Sequence, residues 1–370
     1  LAAAVFALTG DLEFALTVLV IGCPGALVIS TPVSIVAGIG GAAREGILMK
    51  GGSHLEQSGK VTAVAMDKTG TLTEGRPVLT DVVLPSGVHG DETARQEVLY
   101  WAAVAENGSE HPIASAILSA ASANGTVPNP DTADAVPGRG IEAVYRGHNI
   151  KVGSPRFLEE SGLLIDLDTP DGANATTVLV AQDDTLLGGL KISDPVREHA
   201  EEAIRAIKKA GVRRTIMLTG DHRETAAEVA QQLGVDEVFS ELLPEDKLDR
   251  IDQLRKDGTV VAMVGDGIND APALAAADIG IAMGVSGTDL AIETADITLM
   301  RNDLKLLARA VRRAHSTLRN IRQNVFVAVA TVGVLLTGVL LGHVHMAGGM
   351  LIHEASVMLV ILNGMRLLKM

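Results

Sequence analysis

Residues 14–42 and 324–342 carry no charged side chain, and 349–365 carries only Glu354. From about 50 to 320, apolar and polar positions instead alternate in the short periods of a water-soluble protein. A helix that crosses a bilayer needs about 20 mostly apolar residues. Segments 15–42, 323–342 and 349–368 each supply them, the last with an acid near its start. Residues 1–8 (LAAAVFAL) read as the end of another such helix, and the start at Leu1 implies a piece whose N-terminal part is missing. A signal peptide is the alternative for 1–25, but it lacks a basic leader and a cleavage pattern. Arg44, Lys50 and Lys60 follow the first span, Arg312, Arg313, Arg319 and Arg322 precede the second, and Arg366 and Lys369 follow the third. The short connection near 342–349 has no basic residue. Basic residues stay on the inside, so a multi-pass protein of the cell membrane is expected, its large loop and C-terminus cytoplasmic.

Within the polar region, 61–66 (VTAVAM) is a short apolar, β-branched run ending at Asp67. Similar runs occur at 213–218, before Thr219-Gly220-Asp221, and at 259–264, before Gly265-Asp266. Each reads as a buried parallel strand with a polar residue at its C-terminal end. Helical patterns at 195–210, 222–233 and 245–256 alternate with them, which predicts an α/β fold with a doubly wound parallel sheet. Ligands of such sheets sit beyond the carboxyl ends of the strands. An inserted α+β domain is expected over 81–189, with helices at 91–106 and 112–123 and strand-like pieces at 141–152 and 177–190. Residues 124–138 and 166–175 read as its loops. The expected organisation is a membrane part over 1–49, the doubly wound domain over 50–80 and 190–318, the insertion between them, and two transmembrane α-helices over 319–370.

Charge narrows the partners. A net charge of −14 argues against nucleic acid, whose phosphates attract basic surfaces. The lone Cys23 lies inside a span, so no disulfide forms within the chain.

The chemistry concentrates at the strand ends. In Asp67-Lys68-Thr69-Gly70-Thr71-Leu72-Thr73, a carboxylate can attack a phosphoryl group if cations offset charge repulsion. Gly70 lets the next turn bring backbone N–H groups to a phosphate, and Thr69 and Thr71 add a carbonyl and a hydroxyl. Lys247, in Pro244-Glu245-Asp246-Lys247, supplies fixed positive charge, and Thr219 a further donor. In Gly265-Asp266-Gly267-Ile268-Asn269-Asp270-Ala271-Pro272, Asp266 and Asp270 suit Mg2+, a hard ion that takes one or two carboxylates. Asn269 can hydrogen-bond phosphoryl oxygens. Any one element alone also reads as an Asp-Gly turn.

The set DKTGTLT, TGD, PEDK and GDGINDAP resembles the P-type ATPases, within the haloacid dehalogenase superfamily, over essentially the whole chain. The resemblance implies a phosphorylation domain with an inserted nucleotide-binding domain. It makes Asp67 the nucleophile, Lys247 the charge stabiliser and Thr219 a phosphate contact. Asp67, Thr69, Asp266 and Asp270 would surround Mg2+. Soluble phosphatases of the superfamily generally place an acid–base Asp two positions after the nucleophile; Thr69 stands here, which favours a pump. A membrane-tethered phosphatase and a non-catalytic partner subunit are the alternatives. Residues 106–112 (ENGSEHP) and 137–141 (PGRGI) are similar to the adenine pocket of the heavy-metal, type IB, subfamily. They imply that ATP contacts Glu106, His111, Gly138 and Gly140, with Asp221 added at the nucleotide. Ser154 stands where the family often has Asn.

In Cys23-Pro24-Gly25, Pro24 lacks an N–H and is expected to free the carbonyl of Val20 and break the helix. Irregular backbone at membrane depth belongs where it lines a site. The alternative is a structural cysteine beside a kink. His353 and Glu354 lie near the start of the last span, facing either the membrane interior or its interface. With Cys23 they offer sulfur, nitrogen and oxygen, a mixture suited to Zn2+, Cd2+ or Co2+. Copper and zinc members commonly carry a second Cys at Gly25, and zinc members a Lys after Gln323-Asn324; the His-Glu pair is similar to cobalt-type members. The resemblance thus implies ATP-driven efflux of a divalent heavy metal (Cu, Mn or Fe being the alternative cargo) with ATP and Mg2+. It also implies a partner outside the chain, the N-terminal actuator portion of the same protein. His343 and His345, in the outer connection, are loop residues or acceptors of a released ion.

Overall fold

The computed structural model describes residues 2–86, 92–109, 111–123, 125–136, 139–167, 176–221, 223–266, 270–284 and 289–369. Gly138 and Asn269 lie outside the described residues. The chain divides into two compact units, Leu1–Ala65 with Glu202–Thr215 and Pro244–Met370, and Met66–Glu201 with Ile216–Leu243.

The chain opens with helices α1 (Ala2–Thr9), α2 (Leu12–Ile21) and α3 (Gly25–Arg44), then β1 (Ile47–Met49), α4 (Gly52–Ser58) and β2 (Ala63–Asp67). Asp11 caps α2, its carboxylate accepting the Phe14 N–H at 3.0 Å. Pro24 separates α2 from α3, as its missing N–H requires. The Val20 carbonyl is not left free, contrary to the sequence reading: the Cys23 N–H donates to it at 3.3 Å, and the Gly25 N–H to Cys23 O at 2.9 Å. The break is a tight turn, not an open loop.

The insertion follows as β3 (Val78–Val83), α5 (Glu92–Glu106), α6 (Pro112–Ser122), β4 (Thr132–Val136), β5 (Gly140–Tyr145), β6 (His148–Gly153), α7 (Pro155–Glu160), β7 (Thr176–Gln182) and β8 (Thr185–Ser193). Its six strands form one antiparallel sheet, in the order β3-β8-β7-β6-β5-β4. Val98, Ala102 and Ile117 of α5 and α6 pack with Ile150, Val152, Val178 and Leu190 of the strands. Where 124–138 reads as loop, β4 adds an edge strand. Four of its five residues are exposed, so backbone pairing to β5 makes it a strand with no buried face to announce it.

The chain returns through α8 (Ala200–Lys209), β9 (Arg214–Leu218), α9 (Arg223–Leu233), β10 (Glu237–Phe239), α10 (Pro244–Lys256), β11 (Val261–Gly265), α11 (Ala271–Ala276), β12 (Ile279–Met283), α12 (Asp289–Thr294) and β13 (Ile297–Leu299). Helix α8 starts five residues later than the pattern at 195–210 suggests. The residues before it are held elsewhere: Val196 bridges Thr73, and the Arg197 N–H donates to Leu72 O at 3.0 Å. A seven-stranded sheet runs in the order β1-β13-β12-β11-β2-β9-β10. Its β9–β10, β11–β12 and β12–β13 pairs are parallel, and β1 closes an edge antiparallel to β13. Strands β2, β11 and β12 are buried at every residue, the expected state of a sheet covered on both faces.

Helices α13 (Lys305–Leu340) and α14 (Met346–Met365) and a 3-10 turn (Arg366–Lys369) end the chain. Among the described residues three stretches, Leu12–Arg44, Lys305–Leu340 and Met346–Lys369, are long and apolar enough to cross a membrane. Helix α13 begins well before the uncharged run. Its first half buries Leu307, Ala310, Val311 and Ala314 on one stripe, so a soluble amphipathic helix continues without interruption into the apolar one. Small residues let α3 approach its neighbours. A Cβ on Gly38 would fall 2.5 Å from Thr317 Oγ1, and one on Gly41 2.5 Å from the buried Arg313 guanidinium.

Candidate functional site

Asp67 ends β2 and is 7% exposed, while Thr69 turns outward. The chain then passes through Gly70 at φ +71, a left-handed conformation that side chains resist. Thr73 closes the loop. Its hydroxyl accepts the Gly70 N–H at 3.2 Å and donates to Asp194 Oδ2 at 2.5 Å, with Lys68 O 3.0 Å away. Arg197 grips the same loop, Nε donating to Thr71 O at 2.8 Å and Nη2 to Gly70 O at 2.5 Å. The Thr71 hydroxyl oxygen is buried with no hydrogen-bond partner among the described residues.

Lys68 forms an ion pair with Asp221, whose N–H donates to the Thr219 hydroxyl at 3.1 Å. Asp221, expected at the nucleotide, is thereby tied to the residue after Asp67. Sequence reading missed this pair and the grip of Arg197. Arg197 binds backbone carbonyls, so the only signal was a basic residue just after Asp194-Pro195.

In the other unit, Lys247 in the first turn of α10 donates to Asp270 Oδ1 at 2.8 Å, their side chains 8% and 2% exposed. A pair taken this far from water holds only with short geometry, because each ion gives up its hydration. Asp266 follows β11 and is half-buried.

The inserted domain holds a cavity of about 350 Å³ lined by Glu106, Ser109, His111, Gly140, Gly153 and Ser154 among others, within the usual range for small-molecule sites. His111 caps α6, its Nδ1 accepting the Ile113 N–H at 3.2 Å, which leaves the proton on Nε2. Burial pushes the Glu106 carboxyl above the ordinary carboxylate range, offset in part by a hydrogen bond with Ser109 and by the electrostatic effect of nearby His111. Gly140 and Gly153 face each other across β5 and β6. A Cβ on Gly140 would lie 2.2 Å from Val152 O, so the pair must be bare. Ser154 is engaged as the cap of α7, accepting the Phe157 N–H at 3.3 Å.

In the apolar helices, a Cβ on Gly25 would lie 3.1 Å from His353 Nε2, which places this histidine of α14 against the α2–α3 break. His353 is buried, and its Nδ1 has no hydrogen-bond partner among the described residues. Cys23 and Glu354 are both exposed.

Known proteins share this architecture. The model of the haloacid dehalogenase-like hydrolases matches residues 61–278. A manganese-exporting P-type ATPase of Mycobacterium bovis is 43% identical over 376 residues, covering 98% of this chain and 51% of that protein. A zinc-exporting P-type ATPase of Mycobacterium marinum is 43% identical over 375 residues, covering 98% of this chain and 50% of that protein. The crystal structure of a zinc-transporting PIB-type ATPase in the E2.Pi state superposes with a TM-score of 0.82 at 41% identity, over 96% of this chain and 57% of that one. The chain belongs to the haloacid dehalogenase-like hydrolase family and, within it, to the heavy-metal, type IB, P-type ATPases. It spans about half the length of the curated relatives it matches.

Proposed function

We propose that the protein of which this chain is part uses ATP to drive a divalent heavy-metal ion out of the cell through a phosphorylated Asp67. The observation that carries this reading is Asp67 buried at a strand end and opening onto a loop shaped by Gly70. A carboxylate oxygen of Asp67 attacks the γ-phosphorus. The bond from that phosphorus to the β–γ bridging oxygen breaks, and ADP leaves with the electron pair. Lys247 and Thr219 stabilise the transferred group, and Asn269 has the same role. Hydrolysis of the acyl phosphate is assigned to the actuator portion, which lies outside this chain.

The oxygen donors of Asp67, Thr69, Asp266 and Asp270 fit a hard cation, and burial of Asp67 and Asp270 favours one that compensates their charge. Mg2+ held there would neutralise phosphoryl charge. The unpartnered Thr71 hydroxyl suits a phosphate oxygen. Residues 50–80 and 190–318 form the phosphorylation domain and 81–189 the nucleotide domain, both cytoplasmic. Glu106, His111, Gly138 and Gly140 receive the purine, where His111 Nε2–H can donate to a ring nitrogen.

The cargo site is proposed at Cys23, His353 and Glu354. The His353 ring at the helix break, with a free nitrogen, supports it. Sulfur, nitrogen and oxygen donors favour Zn2+, Cd2+ or Co2+ over Mg2+; Mn2+ is the cargo named for several relatives. In the full-length protein, Asp67→Asn is expected to abolish acid-stable, hydroxylamine-labile phosphate incorporation from ATP while nucleotide binding persists. Labelling that survives the substitution refutes the mechanism.

A further inference from the structure

Where the apolar run of α13 begins and α14 ends lies a small cavity, about 170 Å³, lined by Ser316, Arg319, Asn320 and Gln323 of α13 and by Arg366 and Leu367 at the end of α14. None of these residues is acidic. Arg319 and Arg366 are exposed, yet each borders an apolar run: 324–342 is uncharged, and so is 355–365. Both guanidinium groups therefore belong to the same membrane border, the basic side of the spans.

Behind the cavity the polar side chains form a chain into the helix packing. Arg366 Nη1 donates to Asn363 Oδ1 at 2.8 Å, and Asn363 Nδ2 to Asn324 Oδ1 at 2.8 Å. Asn324, fully buried, donates to Ser34 Oγ at 3.2 Å, Asn320 Oδ1 at 3.2 Å and Val360 O at 3.3 Å. Asn320 Nδ2 donates to Asn363 O at 2.9 Å, and the Ser34 hydroxyl lies 2.9 Å from Asn320 Oδ1 and 2.7 Å from Ser30 O. Buried amides in apolar helices are costly unless bonded. This set joins α3, α13 and α14 and ends at a cationic mouth.

We propose that this mouth is a binding site for the phosphate of an anionic phospholipid headgroup. Two arginines from different elements present a fork geometry that matches phosphate oxygens, and Ser316 and Gln323 offer further donors. Basic pockets between spanning helices on the cytoplasmic side suit such headgroups. Exposed apolar side chains further along α13 (Phe326, Val329) and α14 (Leu359, Leu362) give acyl chains a surface. A bound headgroup ties α13 to the end of α14, and through Asn363 and Asn324 it reaches the half of the broken helix that carries Ser34. The idea rests on the membrane placement proposed above.

The test uses the full-length protein in discs of phosphatidylcholine with a minority of phosphatidylglycerol, with retained lipid read by native mass spectrometry. Wild type is expected to hold phosphatidylglycerol through stripping, and R319A/R366A to hold it about thirtyfold more weakly, at roughly a fivefold factor per arginine. R319A alone, which leaves the Arg366–Asn363 bond in place, is expected to lose about fivefold. R319K/R366K should retain more than the double alanine variant. Equal retention by wild type and R319A/R366A overturns the proposal. So does displacement of the lipid by excess inorganic phosphate, which would make the site one for the free anion. A protein that never enters the discs refutes the membrane reading instead.

Discussion

Strands β2, β11 and β12 are buried at all five of their residues, whereas β4 is exposed at four of five and β5 alternates. A strand covered on both faces has no room for polar side chains along its length, so chemistry is displaced to its end. Asp67 and the Gly265-Asp266 segment stand there. The antiparallel sheet works differently. Helices cover it with α5 and α6, and its cavity is bordered by helix starts and by two facing glycines. One sheet concentrates charge in buried, paired form; the other makes space and buries one carboxyl enough to raise its pKa.

The hardest blow to that contrast is at Lys247. Lys247→Met leaves Asp270 charged and nearly sealed from water. Breaking a buried pair from one side costs about 3–5 kcal/mol. A fall in thermal midpoint and loss of phosphoenzyme are both expected. In Lys247→Met/Asp270→Asn most of the stability should return while phosphorylation does not. A single variant as stable as wild type would show that the pair is not what holds this end of the sheet.

The cavity in the other sheet depends on missing atoms. A Cβ on Gly140 meets the backbone of β6, which cannot swing aside as a side chain would. Gly140→Val should part β5 from β6 at the cavity edge, at a cost of about 1–3 kcal/mol. Calorimetric titration should show ATP binding weakened by about tenfold or more. Phosphorylation by saturating ATP should suffer far less. Unchanged affinity would move the purine away from this glycine pair.

The same contrast explains what could be read in advance. The run ending at Asp67 was legible because a doubly covered strand needs unbroken apolar residues, and the break at Pro24 because a residue without an N–H interrupts a helix, although the Val20 carbonyl finds another donor. The doubly wound sheet, the inserted domain and the apolar helices at both ends followed from such patterns. Strand β4 was hidden because backbone bonding at an exposed edge leaves no side-chain period. The true start of α13 was hidden because its amphipathic turns belong to packing against the soluble part. Arg197 and the Lys68–Asp221 pair were invisible for a related reason: their partners are brought close by the fold, across 126 and 153 positions of sequence. His111 shows both readings at once, since it caps a helix and lines the cavity.

The smallest effect expected is also the one that separates packing from binding. Burial lifts the Glu106 carboxyl above its ordinary range, with Ser109 and His111 pulling the other way. The folded state therefore holds this proton more tightly than the unfolded chain. The stability it contributes is complete below the unfolded value, about 4.3, and is lost as pH rises through the raised folded value. Glu106→Gln removes the titration and keeps a carbonyl oxygen to accept from a purine amino group. Against wild type, the variant should gain thermal stability as pH climbs from the ordinary carboxylate range toward neutrality, by about 1 kcal/mol or less once solvent access is allowed for. ATP affinity should fall only a few-fold, since a neutral acceptor replaces a charged one. A parallel pH profile for both proteins would mean that Glu106 is solvated in solution and that the inserted domain does not hold its proton.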